Sequence, residues 1–372
     1  MEDIESCVQT NWIERIKPAY SEQLPNFIAE DGSLVCGIYT GMDNETYHSI
    51  DAVNASLIKT MISKTPAHVR KELNRRAPGN EKHHTNRALE LGTLAHELIL
   101  EPTKFDEQYF KLVDINEHPD ALVTVKDLSD YCDKYDLPKS AGCKQELIER
   151  VSQHDHTVAI WDLIVARSLT KGAGSKAFDI AQQLVNDKKA KNIIRAFDTK
   201  VVKRYCVKRP IDAELWADVF KIKKAFEEHS RAPLLVRDGF AEIVMIAHDP
   251  ITDLTLKIKI DYLRKDSIAL DVKTARSADP SKFSKQSKDL RYDVQAEFYK
   301  YVASILQVPL EMFAFVAVEY DEAEICEIFE LSDRRQAQGW EDTKIALRAF
   351  KECLDTDNWY GYTANDQVIV ID

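Results

Sequence analysis

The stretch "KIKIDYLRKDSIALDVKTA", residues 257–275, decides the fold: it alternates as two β-strands yet carries Asp261 and Asp271 inside them. With Lys265, Asp266 and Ser267 as the hairpin loop, Arg264 pairs with Ile268 and Asp261 falls opposite Asp271. Side chains alternate faces along a strand, so Lys273 shares the Asp271 face and Lys259 lies across from Lys273. The other face carries Ile258, Ile260, Ile268, Leu270 and Val272, which read as core. Carboxylates opposed at about 5 Å repel one another and lose solvation near a core, so something must offset that cost. A divalent cation does so, and Mg²⁺ takes one or two carboxylates while keeping waters and a substrate phosphate. The alternative is a surface hairpin whose acids pair with Lys259 and Lys273.

Outward from this hairpin, "AEIVMIAHDPITDLTL" (241–256) supplies a strand before it, with a turn at "HDPITD". "RYDVQAEFYKYVASILQ" (291–307) reads as a helix and "MFAFVAVEY" (312–320) as an apolar central strand. Three strands, a helix and a further strand predict an α/β core, a mixed sheet flanked by helices. Earlier, "RALELGTLAHELIL" (87–100) is a helix with Leu89, Gly92, Thr93 and His96 on one stripe, whose small residues permit close approach to the sheet. It brings His96 there, as a ligand or as a core histidine. On the later helix Tyr292, Gln295 and Tyr299 share one face.

The chain has 372 residues, 44% of them hydrophobic, enough for a sizeable core in one large or two ordinary domains. Seven scattered cysteines, never in C-x-x-C spacing, support neither a disulfide framework nor a zinc or iron–sulfur site. No apolar run reaches membrane-spanning length and the first residues lack the pattern of a signal peptide, so a cytoplasmic protein without membrane contact is expected. The formal net charge of −12 argues against a non-specific polyanion binder, yet residues 257–291 hold ten Lys or Arg against five Asp. An anionic ligand is expected on that segment, and Lys259, Lys282, Lys285 and Lys288 are candidates to hold it.

These motifs resemble a known family. "GTLAH" (Gly92 to His96), Asp261 in "KIKID", "LDVKT" (Asp271 and Lys273) and "QAEFY" (Gln295 and Tyr299) match, in order, the G-x-x-x-H, D, D-x-K and Q-x-x-x-Y motifs of RecB-like nucleases in the PD-(D/E)-x-K superfamily. "GIYTGMDNETYHS", "TPAHV", "LGTLAHELILEPTKFDEQY" and "LDVKTARSADPSKF" look like the C-terminal nuclease domain of the RecE (exonuclease VIII) type. The resemblance implies a Mg²⁺-dependent exonuclease, with Mn²⁺ able to substitute, that degrades one strand of duplex DNA from its 5′ end. The 3′ overhang would serve a RecT-like annealing protein in phage-type recombination, and the enzyme would be a ring-shaped trimer or tetramer. Carried over by position, His96, Asp261 and Asp271 become metal ligands and Lys273 positions the attacking water. Gln295, Tyr299 and Tyr292 come near the DNA strand, and Glu242 takes the place of the acid on the first strand. A nuclease-fold DNA-binding protein without catalysis and a sequence-specific endonuclease on the same core are the rivals.

The domain reading is an N-terminal extension at 1–36, a nuclease domain at 37–110 and 200–372, and a helical insertion at 111–199. Within the insertion, residues 124–151 look like a SAP-type helix–extension–helix, in which Lys139 and Lys144 would meet DNA. A helical hairpin that merely packs is the other reading.

Overall fold

A computed structural model describes residues 11–76, 87–169, 208–321, 323–363 and 368. Its contacts divide the chain into two compact units, Met1–Leu100 with Ile222–Asp372, and Glu101–Lys221.

The first unit is built on a seven-stranded mixed sheet: β1 (Ile16–Pro18), β2 (Gly37–Thr40), β3 (Gly239–His248), β4 (Thr255–Arg264), β5 (Ile268–Ala275), β6 (Met312–Glu319) and β7 (Cys326–Glu330). Spatial order follows chain order. Pairing is parallel between β1 and β2 and between β5 and β6, and antiparallel elsewhere. The three-strand meander expected from 241–274 is thus the centre of the sheet. Its second hairpin turns at Lys265–Ser267 as the alternation requires: Ser267 takes a left-handed φ of 69° and returns its N–H to the Arg264 carbonyl at 3.1 Å.

Three helices that precede unit two in the chain flank the strands that matter for the site: α1 (Asn44–Ser49), α2 (Ala55–Ser63) and α3 (Arg87–Leu100). Gly92 lets α3 lie close on β5, since a Cβ added there would sit 3.3 Å from the Thr274 hydroxyl. Residues 11–36, read from sequence as part of an extension, belong to the sheet unit. β1 is its edge strand, and Trp12 is buried with its ring edge-on to Phe240 at 6.0 Å.

The second unit, described by itself, holds a parallel pair of short strands, Tyr109–Lys111 with Arg209–Ile211. That pairing ties together residues on both sides of the insertion boundaries expected at 110 and 200; residues 170–207 lie outside the described residues. The helix–extension–helix is present as α4 (Val125–Lys134) and α5 (Lys144–His154). Thr124 and Asp127 cap the first helix reciprocally, and Leu128, Cys132, Leu147, Ile148 and Val151 form a small core with Ile160. Its sharp left-handed position is Asp136, with φ 53°.

Three further helices of the first unit are α6 (Pro280–Asp289), α7 (Tyr292–Ile305) and α8 (Asp333–Thr356). Val294, Phe298 and Val302 of α7 share one core with Ile243, Met245, Ile258, Ile260, Phe313 and Phe315 of the sheet, and with Leu57 and Ile58 of α2. Gly339 of α8 meets the Asp293 backbone so closely that an added Cβ would lie 2.6 Å from its carbonyl oxygen. Among the described residues no helix is long and apolar enough to cross a membrane.

Candidate active site

The site lies where the central sheet opens. β3 and β4 pair Ala241 with Tyr262 and Ile243 with Ile260, and the Glu242–Asp261 step between them carries no ladder pair. Glu242 has a φ of 53°, a left-handed conformation that costs a non-glycine residue about 1–3 kcal/mol and persists only where surroundings impose it. On the other side, the β4–β5 ladder runs through Leu263–Ala269 and Tyr262–Leu270 and stops. One more step of that register sets Asp261 across from Asp271, but Asp261 Oδ2 instead accepts the Val272 N–H at 2.8 Å. The strands part where the acids stand, which opens space beside them.

His96 enters that space from α3. Its Nε2 hydrogen-bonds the Val272 carbonyl, and its Nδ1 lies 3.4 Å from Asp261 Oδ2. A carbonyl only accepts, so Nε2 donates to it and Nδ1 is the ring nitrogen that faces the carboxylate. Metal-ligating histidines have this arrangement, one ring N–H anchored on a carbonyl and the other nitrogen offered to a cation. Ligand atoms of His96, Glu242 and Asp261 all lie within 4.8 Å of one another. One imidazole nitrogen and two hard carboxylates suit a divalent ion such as Mn²⁺ or Mg²⁺, so these residues fit the metal that the motifs imply. Burial first, and then the charges of Asp271 and Glu242, push the Asp261 pKa up to about 7 against the pull of His96 and Lys273.

Asp271 has a different environment. It is 3% exposed, accepts Gln295 Nε2 at 2.5 Å and pairs with Lys273 Nζ at 2.5 Å. Burial alone would lower the Lys273 pKa, but Asp271 and Asp261 outweigh it and hold the value above normal. Lys273 is therefore a firm ammonium, able to donate and unable to act as a base. Tyr299, half-buried and edge-on to Phe313, has its pKa raised well above the ordinary phenol by desolvation of its hydroxyl, which keeps its proton. Lys59 of α2 donates to Gln295 Oε1 at 3.3 Å, and burial lowers its pKa to about 8.

The positive surplus of 257–291 is mostly spent within the fold. Lys257, 1% exposed, donates to the Tyr47 and Ile50 carbonyls at 2.7 and 2.6 Å. Lys259 is not a free DNA ligand: it pairs with Glu242 at 2.5 Å and donates to Asn44 Oδ1 at 2.7 Å. Arg264 is held by Asp266, Lys265 by Asp238, Lys273 by Asp271, and Arg291 by Asp293 and Asp342. Arg276, Lys282, Lys285 and Lys288 remain, exposed and outside any ion pair among the described residues. Three of them stand on α6.

Two other expected DNA contacts do not fit their places. Tyr292 is 4% exposed, stacked on Phe315 at 5.1 Å with Lys273 over its ring at 5.1 Å, because the polar-aromatic stripe of α7 faces the sheet rather than solvent. In the second unit Lys144 turns inward to Asp162, itself 7% exposed, and to the Val123 carbonyl at 2.7 Å. Lys139 is exposed and pairs with Asp133 at 2.7 Å.

Sequence reasoning missed Asn44, which lines the same cleft of about 380 Å³ as His96, Glu242, Lys259 and Asp261. It also missed Glu97 on that cleft, whose buried Oε2 has no hydrogen-bond partner among the described residues. Lys59 carried no spacing signal, since its partner lies 236 residues away.

Comparison with known proteins places this geometry. Residues 54–368 match the family model of a PDDEXK-like domain of unknown function (DUF3799). No curated protein matches. The fold is similar to a crystal structure from Eubacterium rectale described as a "putative exonuclease", with 9% identity, 84% of this chain and 88% of that one covered, and a TM-score of 0.42. A crystal structure described as SSO0001 is similar over 29% of this chain and 50% of that one, with 15% identity and a TM-score of 0.20. Both scores are low, and the assignment rests on the family match: the chain belongs to the PDDEXK-like DUF3799 family, within the PD-(D/E)-x-K nuclease superfamily.

Proposed function

We propose that the protein is a metal-dependent exodeoxyribonuclease that acts on the ends of duplex DNA. The observation that carries this reading is the convergence of His96 Nδ1 with the Glu242 and Asp261 carboxylates, beside an Asp271–Lys273 pair on the adjoining strand. Mg²⁺, or Mn²⁺ in its place, would be held by those three residues with Asp271 beside them, and when bound supplies Lewis-acid polarisation and a water acidic enough to attack.

The chain's own residues do the rest. Asp271 keeps Lys273 protonated, so Lys273 donates to the attacking water or to a non-bridging phosphate oxygen. Tyr299, protonated and facing the same acids, can donate to the strand being cut. Arg276, Lys282, Lys285 and Lys288 take the DNA backbone, few enough that affinity should fall along a shallow salt slope. In keeping with the RecE-like motifs, the reading extends to 5′-to-3′ polarity and to a 3′ overhang passed to an annealing protein of the RecT type. It also extends to a ring-shaped oligomer in the cytoplasm, and the unpaired Cys36, Cys132, Cys143, Cys326 and Cys353 agree with a reducing compartment.

The test compares linear with covalently closed duplex DNA, with Mg²⁺ and with EDTA. Acid-soluble nucleotides from linear DNA with Mg²⁺ alone support the proposal. Cutting of the closed circle favours an endonuclease, and binding without release under any metal favours the non-catalytic rival.

A further inference from the structure

Gln295 sits between two groups of opposite charge. Its Oε1 faces Lys59 Nζ at 3.3 Å and its Nε2 faces Asp271 Oδ1 at 2.5 Å, in a side chain only 7% exposed. An ammonium only donates and a carboxylate only accepts, so rotating the amide by half a turn would make both contacts repulsive. Among the described residues Lys59 makes no ion pair. Its contacts are Gln295 and the face of Tyr292, 5.9 Å from the ring centroid. Lys273 covers the same ring at 5.1 Å and closes the row on the far oxygen of Asp271 at 2.5 Å. Lys59, Gln295, Asp271 and Lys273 form one chain of donors and acceptors whose polarity is set at both ends.

We propose that Lys59 is a positioning residue of this centre: it locks the Gln295 amide in the orientation that donates to Asp271. Asp271 is thereby fixed between Gln295 and Lys273, and Lys273 is aimed at the reacting phosphate. The effect of Lys59 on cleavage rests on the nuclease reading; the lock itself does not. It assigns a function to a half-buried lysine that makes no ion pair among the described residues.

The experiment has two arms. In the first, hydrogen exchange of the Gln295 side-chain amide is followed by NMR in the full chain, with the signal assigned from the Gln295→Glu spectrum. The amide should be protected in wild type, exposed in Lys59→Met and protected again in Lys59→Arg. Should Lys59→Met fail to fold, Lys59→Arg decides: an unprotected amide there overturns the lock. In the second arm, Lys59→Met should lower kcat on linear duplex about tenfold, the low end for losing a partner that orients an active-site ligand, with KM nearly unchanged. In a Gln295→Ala background the same change should have no further effect, whereas independent effects in the double variant would overturn the proposal. A tenfold rise in KM at constant kcat would also overturn it, since Lys59 would then be a DNA contact. A protected amide in a wild-type protein that cleaves nothing would overturn the nuclease reading and support the lock.

Discussion

Asp261 accepts the backbone N–H of Val272 at 2.8 Å, in place of the ladder bond that one more step of β4–β5 pairing would have made. The carbonyl of the same residue receives the Nε2–H of His96. One residue of β5 thus orients two of the three ligand-bearing side chains, and the sheet gives up regular pairing to do so.

Asp261 should make stability fall as pH rises. Its folded pKa, about 7, exceeds its ordinary 3.8, so between those values the folded state binds the proton more tightly. Stability from this group is full below the lower value and lost on passing the upper. Asp261→Asn keeps an acceptor for Val272 and removes the titration, so its melting temperature should gain on wild type as pH rises from about 4 to about 7. Divalent-metal affinity should move the other way, rising with pH through about 7 by at most about tenfold per unit for one displaced proton. His96→Ala should weaken Mn²⁺ binding in calorimetry; a loss of thermal stability alone would make His96 a core residue.

Asp271 and Lys273 should be coupled. Lys273→Ala leaves a buried carboxylate without its cation and should cost about 3 kcal/mol in denaturant unfolding near neutral pH. The double variant Asp271→Ala with Lys273→Ala should recover much of that loss, and it, Lys273→Ala and Asp271→Ala alone should all lack cleavage. Additive stability effects would mean that the ion pair is not the unit it looks.

The acids and the basic dyad were legible in sequence because strand alternation and a three-residue loop set their register. The Gly92–His96 stripe was legible because helical spacing shows which residues share a face. Pairing was not. Lys259 with Glu242, Lys144 with Asp162 and Lys59 with Gln295 join residues far apart in sequence or on different elements, and nothing local distinguishes a cation that is engaged from one that is free. Tyr292, expected near the DNA, is instead stacked beneath the sheet on Phe315, because helical spacing shows which residues share a face but not what covers that face.

The exposed cations of α6 should carry the DNA. Charge reversal at Lys282, Lys285 or Lys288 should weaken duplex binding and reduce the salt slope by about one each in fluorescence anisotropy titrations. Reversal at Lys265, which Asp238 already engages, should do less. Equal effects at both places would put the DNA elsewhere.

Lys144 should be a stability residue of the second unit. Lys144→Ala strands the Asp162 carboxylate and should cost about 2 kcal/mol in unfolding of that unit. Lys139→Glu should cost little stability, because its pair with Asp133 is exposed. If the helix–extension–helix binds DNA, Lys139→Glu should also weaken retention on long duplex. Unchanged retention would leave it a packing or protein-docking element.

The central claim is tested most directly on a linear duplex labelled at the 5′ end of one strand and the 3′ end of the other, incubated with wild type and with Asp271→Ala. Wild type with Mg²⁺ should release the 5′ label early and retain the 3′ label on a shortening duplex. Asp271→Ala should release neither. Retention of both labels by wild type under Mg²⁺ and Mn²⁺, or release of the 5′ label by Asp271→Ala, would contradict the account.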